Sequence, residues 1–176
     1  MFLHLKNILT ADELAHARSL LGETAPWVNG ARSAGEQAVQ HKNNQQLAQD
    51  SDAARELQAL VLQAVQRDAL FFSAALPKRI FNPLFNRYSG ATNFYGDHVD
   101  GAILHSRATQ QWVRTDISCT LFLADPDEYE GGELTVREHE GDKRIKLPAG
   151  DAILYPGSTV HQVARSEEHT SELQSP

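Results

Sequence analysis

The chain has one cysteine, Cys119, among its 176 residues. A single thiol excludes an intramolecular disulfide and the multi-thiolate sites of structural zinc. Any bound metal must therefore rely on histidine and carboxylate ligands. A basic excess is missing too: 16 Lys and Arg stand against 23 Asp and Glu, a formal net charge of −7. A protein that tracks phosphate backbones needs a basic face, so nucleic acid is not an expected partner. Long hydrophobic runs are absent. The opening stretch, Met1 to Leu9, is too short and too interrupted for a signal peptide or a membrane span. No membrane association is expected, and a reducing cytoplasm is the expected setting.

What remains is the composition of an ordinary globular protein, with 41% hydrophobic and 22% charged residues. The length suits one domain and is enough to bury a core. Phe2 to Leu5 alternates weakly, as a short strand would. Thr10 followed by Glu13 is a capping box, placing a helix start there, and Leu14, Arg18 and Leu21 follow at helical spacing with Gly22 as the stop. A polar stretch containing Asn29-Gly30 and Gly35 leads to a second helix from about residues 50–52. Its stripe is Leu57, Leu60, Val61, Ala64 and Val65.

Beyond Ile80 the grammar changes to short apolar runs between turn residues. Ile117, Cys119, Leu121 and Leu123 recur at period two, ending at Asp125-Pro126. Gly131-Gly132 opens Glu133 to Val136, Arg144 to Leu147 is a further strand, and Ala152 to Tyr155 and Thr159 to Val163 flank Pro156-Gly157. Helices followed by many short strands predict an α+β fold built on a β-sandwich or jelly roll. The expected division is residues 1–76 as helical support, 77–164 as the core and 165–176 as a tail. That tail is polar and follows abruptly on a patterned strand. It reads as a translated sequencing adapter fused to a truncated gene, so His169 and its neighbouring carboxylates are set aside.

His98-Val99-Asp100 is the sharpest chemical feature. On an extended segment, residues i and i+2 project to one side, so an imidazole and a carboxylate would face one point. A third ligand must come from elsewhere, and His161 lies roughly sixty residues on. Two histidines and one carboxylate form the facial triad of non-haem Fe(II) oxygenases, which leaves three coordination positions open. The same ligand set also serves catalytic zinc, in which case Glu133 is the tempting base. A non-catalytic metal-binding β-sandwich is the third reading. The remaining histidines compete poorly. His4, His16 and His41 belong to the helical half, His105 has no carboxylate at strand spacing, and His139 sits in a charged hairpin.

Five segments in order narrow the choice: Asn86 to Gly90, Asn93 to Gly101, Arg114 to Ser118, Tyr129 to Leu134, and Gly150 to Gln162. Together they closely resemble the PKHD-type hydroxylases, bacterial relatives of prolyl 4-hydroxylase among the 2-oxoglutarate oxygenases. The resemblance covers nearly everything before Arg165. It implies a double-stranded β-helix core and a hydroxylase using Fe(II), 2-oxoglutarate and O₂, with L-ascorbate as reductant. It also implies His98, Asp100 and His161 as iron ligands. Tyr88 matches a tyrosine that contacts the far carboxylate of 2-oxoglutarate, or else is a core tyrosine. Arg114 and Asp116 either line the mouth or form an exposed pair. The substrate is a small molecule or a peptidyl residue. The chain departs from the family in one respect: the arginine expected about ten residues past His161, which would pair with that carboxylate, has Ser171 in its neighbourhood.

Overall fold

The computed structural model describes residues 2–33, 42–106, 110–165 and 172–175. In chain order, β1 (Leu3–Leu5) leads to α1 (Ala11–Leu20), then β2 (Trp27–Asn29), β3 (Lys42–Asn43) and β4 (Gln45–Leu47). Two helices follow, α2 (Asp52–Arg67) and α3 (Ala69–Ala75). The strands after them are β5 (Asn86–Tyr88), β6 (Phe94–His98), β7 (Ile103–Ser106), β8 (Gln111–Arg114) and β9 (Ile117–Phe122). The last are β10 (Leu134–Glu138), β11 (Gly141–Ile145), β12 (Ala152–Pro156), β13 (His161–Val163) and β14 (Glu172–Ser175).

The capping box forms as the sequence predicts. The Thr10 hydroxyl accepts from the Glu13 N–H, and the Glu13 carboxylate accepts from the Thr10 N–H at 2.9 Å. α1 ends at Leu20 with Leu21 as its cap, directly before the expected stop at Gly22, as the Leu21 N–H closes on the Arg18 carbonyl. α2 buries Leu57, Val61, Ala64 and Val65 on the predicted stripe, and Ser51 caps its start. α3 was not expected. Asp68 both ends α2 and caps α3, accepting from the Phe71 N–H at 2.6 Å, so the two helices run together without a turn signal between them.

The strands assemble as a jelly roll. One sheet has the order β1-β12-β9-β14-β5-β4-β2, the other β11-β10-β13-β6-β3, and β7-β8 forms a separate hairpin. Every pairing is antiparallel. Strands from the first fifty residues thus belong to both large sheets, and Asn44 is where the chain passes from one to the other.

The seven-stranded sheet has two different faces. Leu121, Ala152 and Leu154 point outward onto Leu57, Val61 and Phe71 of the helices, with Ile117 and Cys119 packed beside them. Ile153, Tyr155 and Phe122 point inward and meet Leu134 and Val136 of the other sheet. Each fully buried side chain of this size stabilises by about 1.5–3 kcal/mol relative to exposure. The period-two run in β9 is therefore the helix-facing side, and the polar residues between, Ser118 and Thr120, are buried inside the roll. Gly131 and Gly132 carry φ of 68° and 64°, the left-handed backbone that turns the chain into β10. The expected strand at Arg144 to Leu147 starts three residues earlier and ends at Ile145, as β11 pairs with β10 through a tight hairpin.

Candidate metal centre

β6 and β13 are neighbours in the five-stranded sheet, and His98 and His161 are direct cross-strand partners. Cross-strand partners project to the same face, so two residues far apart in sequence share one spot. Their rings lie 4.2 Å apart, centroid to centroid. Asp100 sits just past the end of β6, while Val99 between them points to solvent and is 53% exposed. One Asp100 oxygen, Oδ1, is 3.9 Å from His98 Nε2 and 3.7 Å from His161 Nε2. The three donor atoms lie within 4.8 Å of one another, close enough for a single ion to reach all three.

The surroundings fix which atoms are offered. The Nδ1–H of His98 donates to the Gly96 carbonyl at 2.8 Å, and that of His161 to the Thr159 carbonyl at 2.9 Å. With Nδ1 committed as donor, the lone pair of each neutral ring is on Nε2, facing Asp100. Burial, and then the neighbouring His161, push the His98 pKa down to about 4, so this imidazole is neutral at physiological pH. The Ser118 hydroxyl donates to the other Asp100 oxygen, Oδ2, which leaves Oδ1 for the ion. Two imidazole nitrogens and one carboxylate oxygen, each oriented by a second hydrogen bond, suit a divalent metal with open positions.

Aromatic rings wall the site. Tyr95 stacks on His98 with centroids 3.5 Å apart and 14° between planes. It reaches the same face because the β6–β13 pairing is irregular: Tyr95 pairs with Val163 although His98 pairs with His161, so β6 carries one extra residue. Burial, aided by Asp100, raises the Tyr95 pKa to about 12, which keeps its hydroxyl protonated. Tyr155 meets His161 edge-on at 5.1 Å and shares a 3.2 Å hydrogen bond with Thr120. Gly157 lets the following turn approach closely, since a Cβ there would stand 2.8 Å from the Thr115 carbonyl.

These residues line a cavity of about 1320 Å³, which also includes Lys42, Tyr88 and Trp112. Tyr88 lies on β5 and is 2% exposed, so the structure brings it to the same chamber as the three candidate ligands. Arg114 and Asp116 do both things the sequence allowed: they pair at 2.7 Å while exposed, and they border the mouth. Glu133 is not among the residues that line the cavity, so its carboxylate is not placed as a base there. His4 is bound to Asp151 and His16 to Glu56, His105 packs against Trp112, and His139 is exposed at the β10–β11 turn. Gly35, His41, His169 and Ser171 lie outside the described residues. β14, the strand between β5 and β9, places Glu172 opposite Tyr88 and has the sequence Glu-Leu-Gln-Ser, with no basic residue.

Tyr95, Ser118, Tyr155 and Lys42 were missed from the sequence. Only Ser118 had a usable signal, as a polar residue set in an apolar period-two run.

Residues 83–172 match the family described as the 2OG-Fe(II) oxygenase superfamily. A PKHD-type hydroxylase of Variovorax paradoxus (strain S110) is 55% identical over 163 residues, covering 93% of this chain and 71% of that protein. Among solved structures, a Pseudomonas putida prolyl-4-hydroxylase matches with a TM-score of 0.62 at 19% identity, over 99% of this chain and 90% of that one. A prolyl hydroxylase of Trichoplax adhaerens, in complex with a hypoxia inducible factor oxygen degradation domain peptide fragment, gives 0.64 at 14% identity, over 99% and 81%. At these identities the structural likeness speaks for the fold.

Proposed function

The chain belongs to the 2OG-Fe(II) oxygenase superfamily, and from that premise we propose that His98, Asp100 and His161 hold the iron and that Tyr88 contacts 2-oxoglutarate. The activity is that of a 2-oxoglutarate-dependent dioxygenase, a hydroxylase that uses Fe(II), 2-oxoglutarate and O₂. Bound together, these supply the oxidising chemistry that turns a substrate C–H into C–OH while 2-oxoglutarate becomes succinate and CO₂.

The chain's own residues bind, orient and exclude. His98 and His161 offer Nε2 atoms whose direction is set by the Gly96 and Thr159 carbonyls. Ser118 aims the Asp100 carboxylate. Tyr95 and Tyr155 place their rings against His98 and His161 and shield that side of the site. No general base or nucleophile is required. The observation that carries this reading is the pair of Nε2 lone pairs aimed at one carboxylate oxygen by two independent backbone hydrogen bonds.

A cavity of this size exceeds what 2-oxoglutarate alone would fill, which supports a second ligand, a small molecule or a peptidyl side chain. L-Ascorbate as reductant and a cytoplasmic setting complete the proposal. The half-buried Cys119 thiol, which also lines the cavity, has its pKa raised to about 12 by desolvation. Among the described residues no helix is long and apolar enough to cross a membrane.

The test is an anaerobic titration of Fe(II)-loaded protein with 2-oxoglutarate, following the visible metal-to-ligand charge-transfer band. The band is expected in the wild type and is lost in His161→Ala. A band that survives His161→Ala unchanged would overturn the ligand assignment.

A further inference from the structure

Large apolar side chains left in water gather at one place on this molecule. Among the described residues seven are exposed, and four of them, Leu76, Val99, Ile103 and Trp112, line the cavity that holds the candidate metal ligands. They come from three segments. Leu76 ends α3, Val99 follows β6, and Ile103 and Trp112 stand on the β7–β8 hairpin. The hairpin pairs with neither large sheet. It turns Val113 and its cross-strand partner Leu104 to one side, buried and half-buried, and leaves Ile103 and Trp112 on the other at 62% and 69% exposure. Trp112 is braced there by His105, with ring centroids 4.9 Å apart. Leu76 is 80% exposed and adopts the left-handed backbone, φ 43°, that glycine would take at lower cost. A convergent apolar rim around a cavity marks the seat of a ligand rather than ordinary surface.

Charge at the same rim favours an anion. The chain carries a net charge of −7, yet the rim brings Lys78, Arg79 and Arg114 together with one carboxylate outside the metal ligands, Asp116. Arg114 is matched by Asp116 at 2.7 Å. The Arg79 guanidinium donates to the neutral amide oxygen of Gln111 on β8, so its charge is kept. This bond also ties the segment after α3 to the strand that carries Trp112, which sets Lys78 and Arg79 beside the apolar rim. A pair of cations on an otherwise acidic molecule steers anions to that spot.

We propose that the ligand received at this rim is a small amphipathic acid: an aromatic or aliphatic body lies against Trp112, Ile103 and Leu76, and its anionic head faces Lys78 and Arg79. This rests on the hydroxylase reading above and names the class of its second substrate; the cosubstrate is not involved. A body seated there extends into the chamber of His98, Asp100 and His161, which presents its C–H bonds to the candidate metal centre. The four apolar residues stand on three segments around one mouth, not in a row along one strand, which suits a compact body better than an extended peptide.

The probe is 1-anilinonaphthalene-8-sulfonate, whose aromatic body carries an anion that chelates metal poorly, and its uncharged counterpart is N-phenyl-1-naphthylamine. Fluorescence titrations compare wild type, Trp112→Ser, Lys78→Gln and a control, Leu70→Ser, which alters an exposed apolar residue of α3 that does not line the cavity. Circular dichroism confirms folding. Trp112→Ser should weaken both probes roughly 10-fold, as loss of an aromatic anchor does. Lys78→Gln should weaken the sulfonate about 3- to 5-fold, less at high salt, and spare the amine. Leu70→Ser should change neither. No binding of the sulfonate, binding that ignores Trp112, or binding that falls as much in Leu70→Ser overturns the apolar seat. An equal response of both probes to Lys78→Gln overturns the anionic head. Displacement of the sulfonate by acetyl-Asp-Leu-Pro-Asp-amide at lower concentration than by 4-phenylbutyrate makes the occupant a peptide and also overturns the proposal. Each titration is run on metal-free protein and on protein loaded with Zn(II) and 2-oxoglutarate. If Zn(II) does not bind, the metal reading fails by itself, and the metal-free titrations still decide the rim.

Discussion

Ser118 makes the candidate metal site depend on a residue that is not itself one of the proposed ligands. Its hydroxyl holds Asp100 Oδ2, and a carboxylate without that donor is free to rotate away from the two imidazoles. Ser118→Ala should lower metal affinity roughly 10- to 100-fold, the usual cost of losing an orienting partner. A metal titration checks this, and an unchanged affinity would mean that Asp100 is held by other contacts. The sequence exposed this scale unevenly. His98 and Asp100 were legible because a two-residue spacing says where side chains point. His161 was reached from the residues only as the best-placed remaining histidine, since nothing local encodes that it pairs across the sheet with His98; the resemblance then implied the same residue. Tyr95 was hidden by the irregular pairing in β6, which puts a residue three positions from His98 on the same face. Ser118 carried a signal, as a polar residue in an apolar strand, but that signal suggests the solvent side, whereas here the interior is the polar side.

At the level of elements, α1 and α2 are joined by more than apolar packing. Glu13 closes the capping box and also pairs with Arg67 at the far end of α2, and Arg67 reaches the Ile8 carbonyl at 3.0 Å. The hydrogen bond from Arg67 holds the Glu13 carboxyl down to about 2. A carboxylate with a lowered folded-state pKa contributes stability that is present above its unfolded value, near 4.5, and lost as pH falls toward 2. The pair is partly exposed, so its worth is about 1 kcal/mol or less. Glu13→Gln should therefore lower the melting temperature at neutral pH and flatten its decline between pH 4.5 and 2. Equal pH dependence in both proteins would refute this. The helices were legible because caps and stripes are local signals. β3 and β4 were not, because their sequence is polar: Asn44 and Gln46 are buried, and both donate to Asn86. Buried amides that bond to one another leave no hydrophobic pattern to read.

For the whole molecule, the alternation of polarity decides where chemistry can occur. The seven-stranded sheet turns its apolar face to the helices, and toward the site its inner face shows Ser118, Thr120, Tyr88 and Tyr155. The roll is thus stabilised on its outside and at one inner end, which leaves the other end free to be a polar chamber. That arrangement followed from the order of helices and short strands. The chamber's contents did not, because they come from β3, β5, β6, β9, β12 and β13, and a cavity is a property of their assembly.

The direct pairing of His98 with His161 also has a meaning in time. An ion bound between them ties together points some sixty residues apart, and such distant contacts form late as a chain folds. Metal should then act on the exit from the folded state rather than the approach to it. Stopped-flow denaturant jumps with and without Zn(II) should show slower unfolding and an unaltered refolding rate. Faster refolding with metal would instead mean that β6 and β13 meet early, making the metal a guide to assembly and not only a lock upon it.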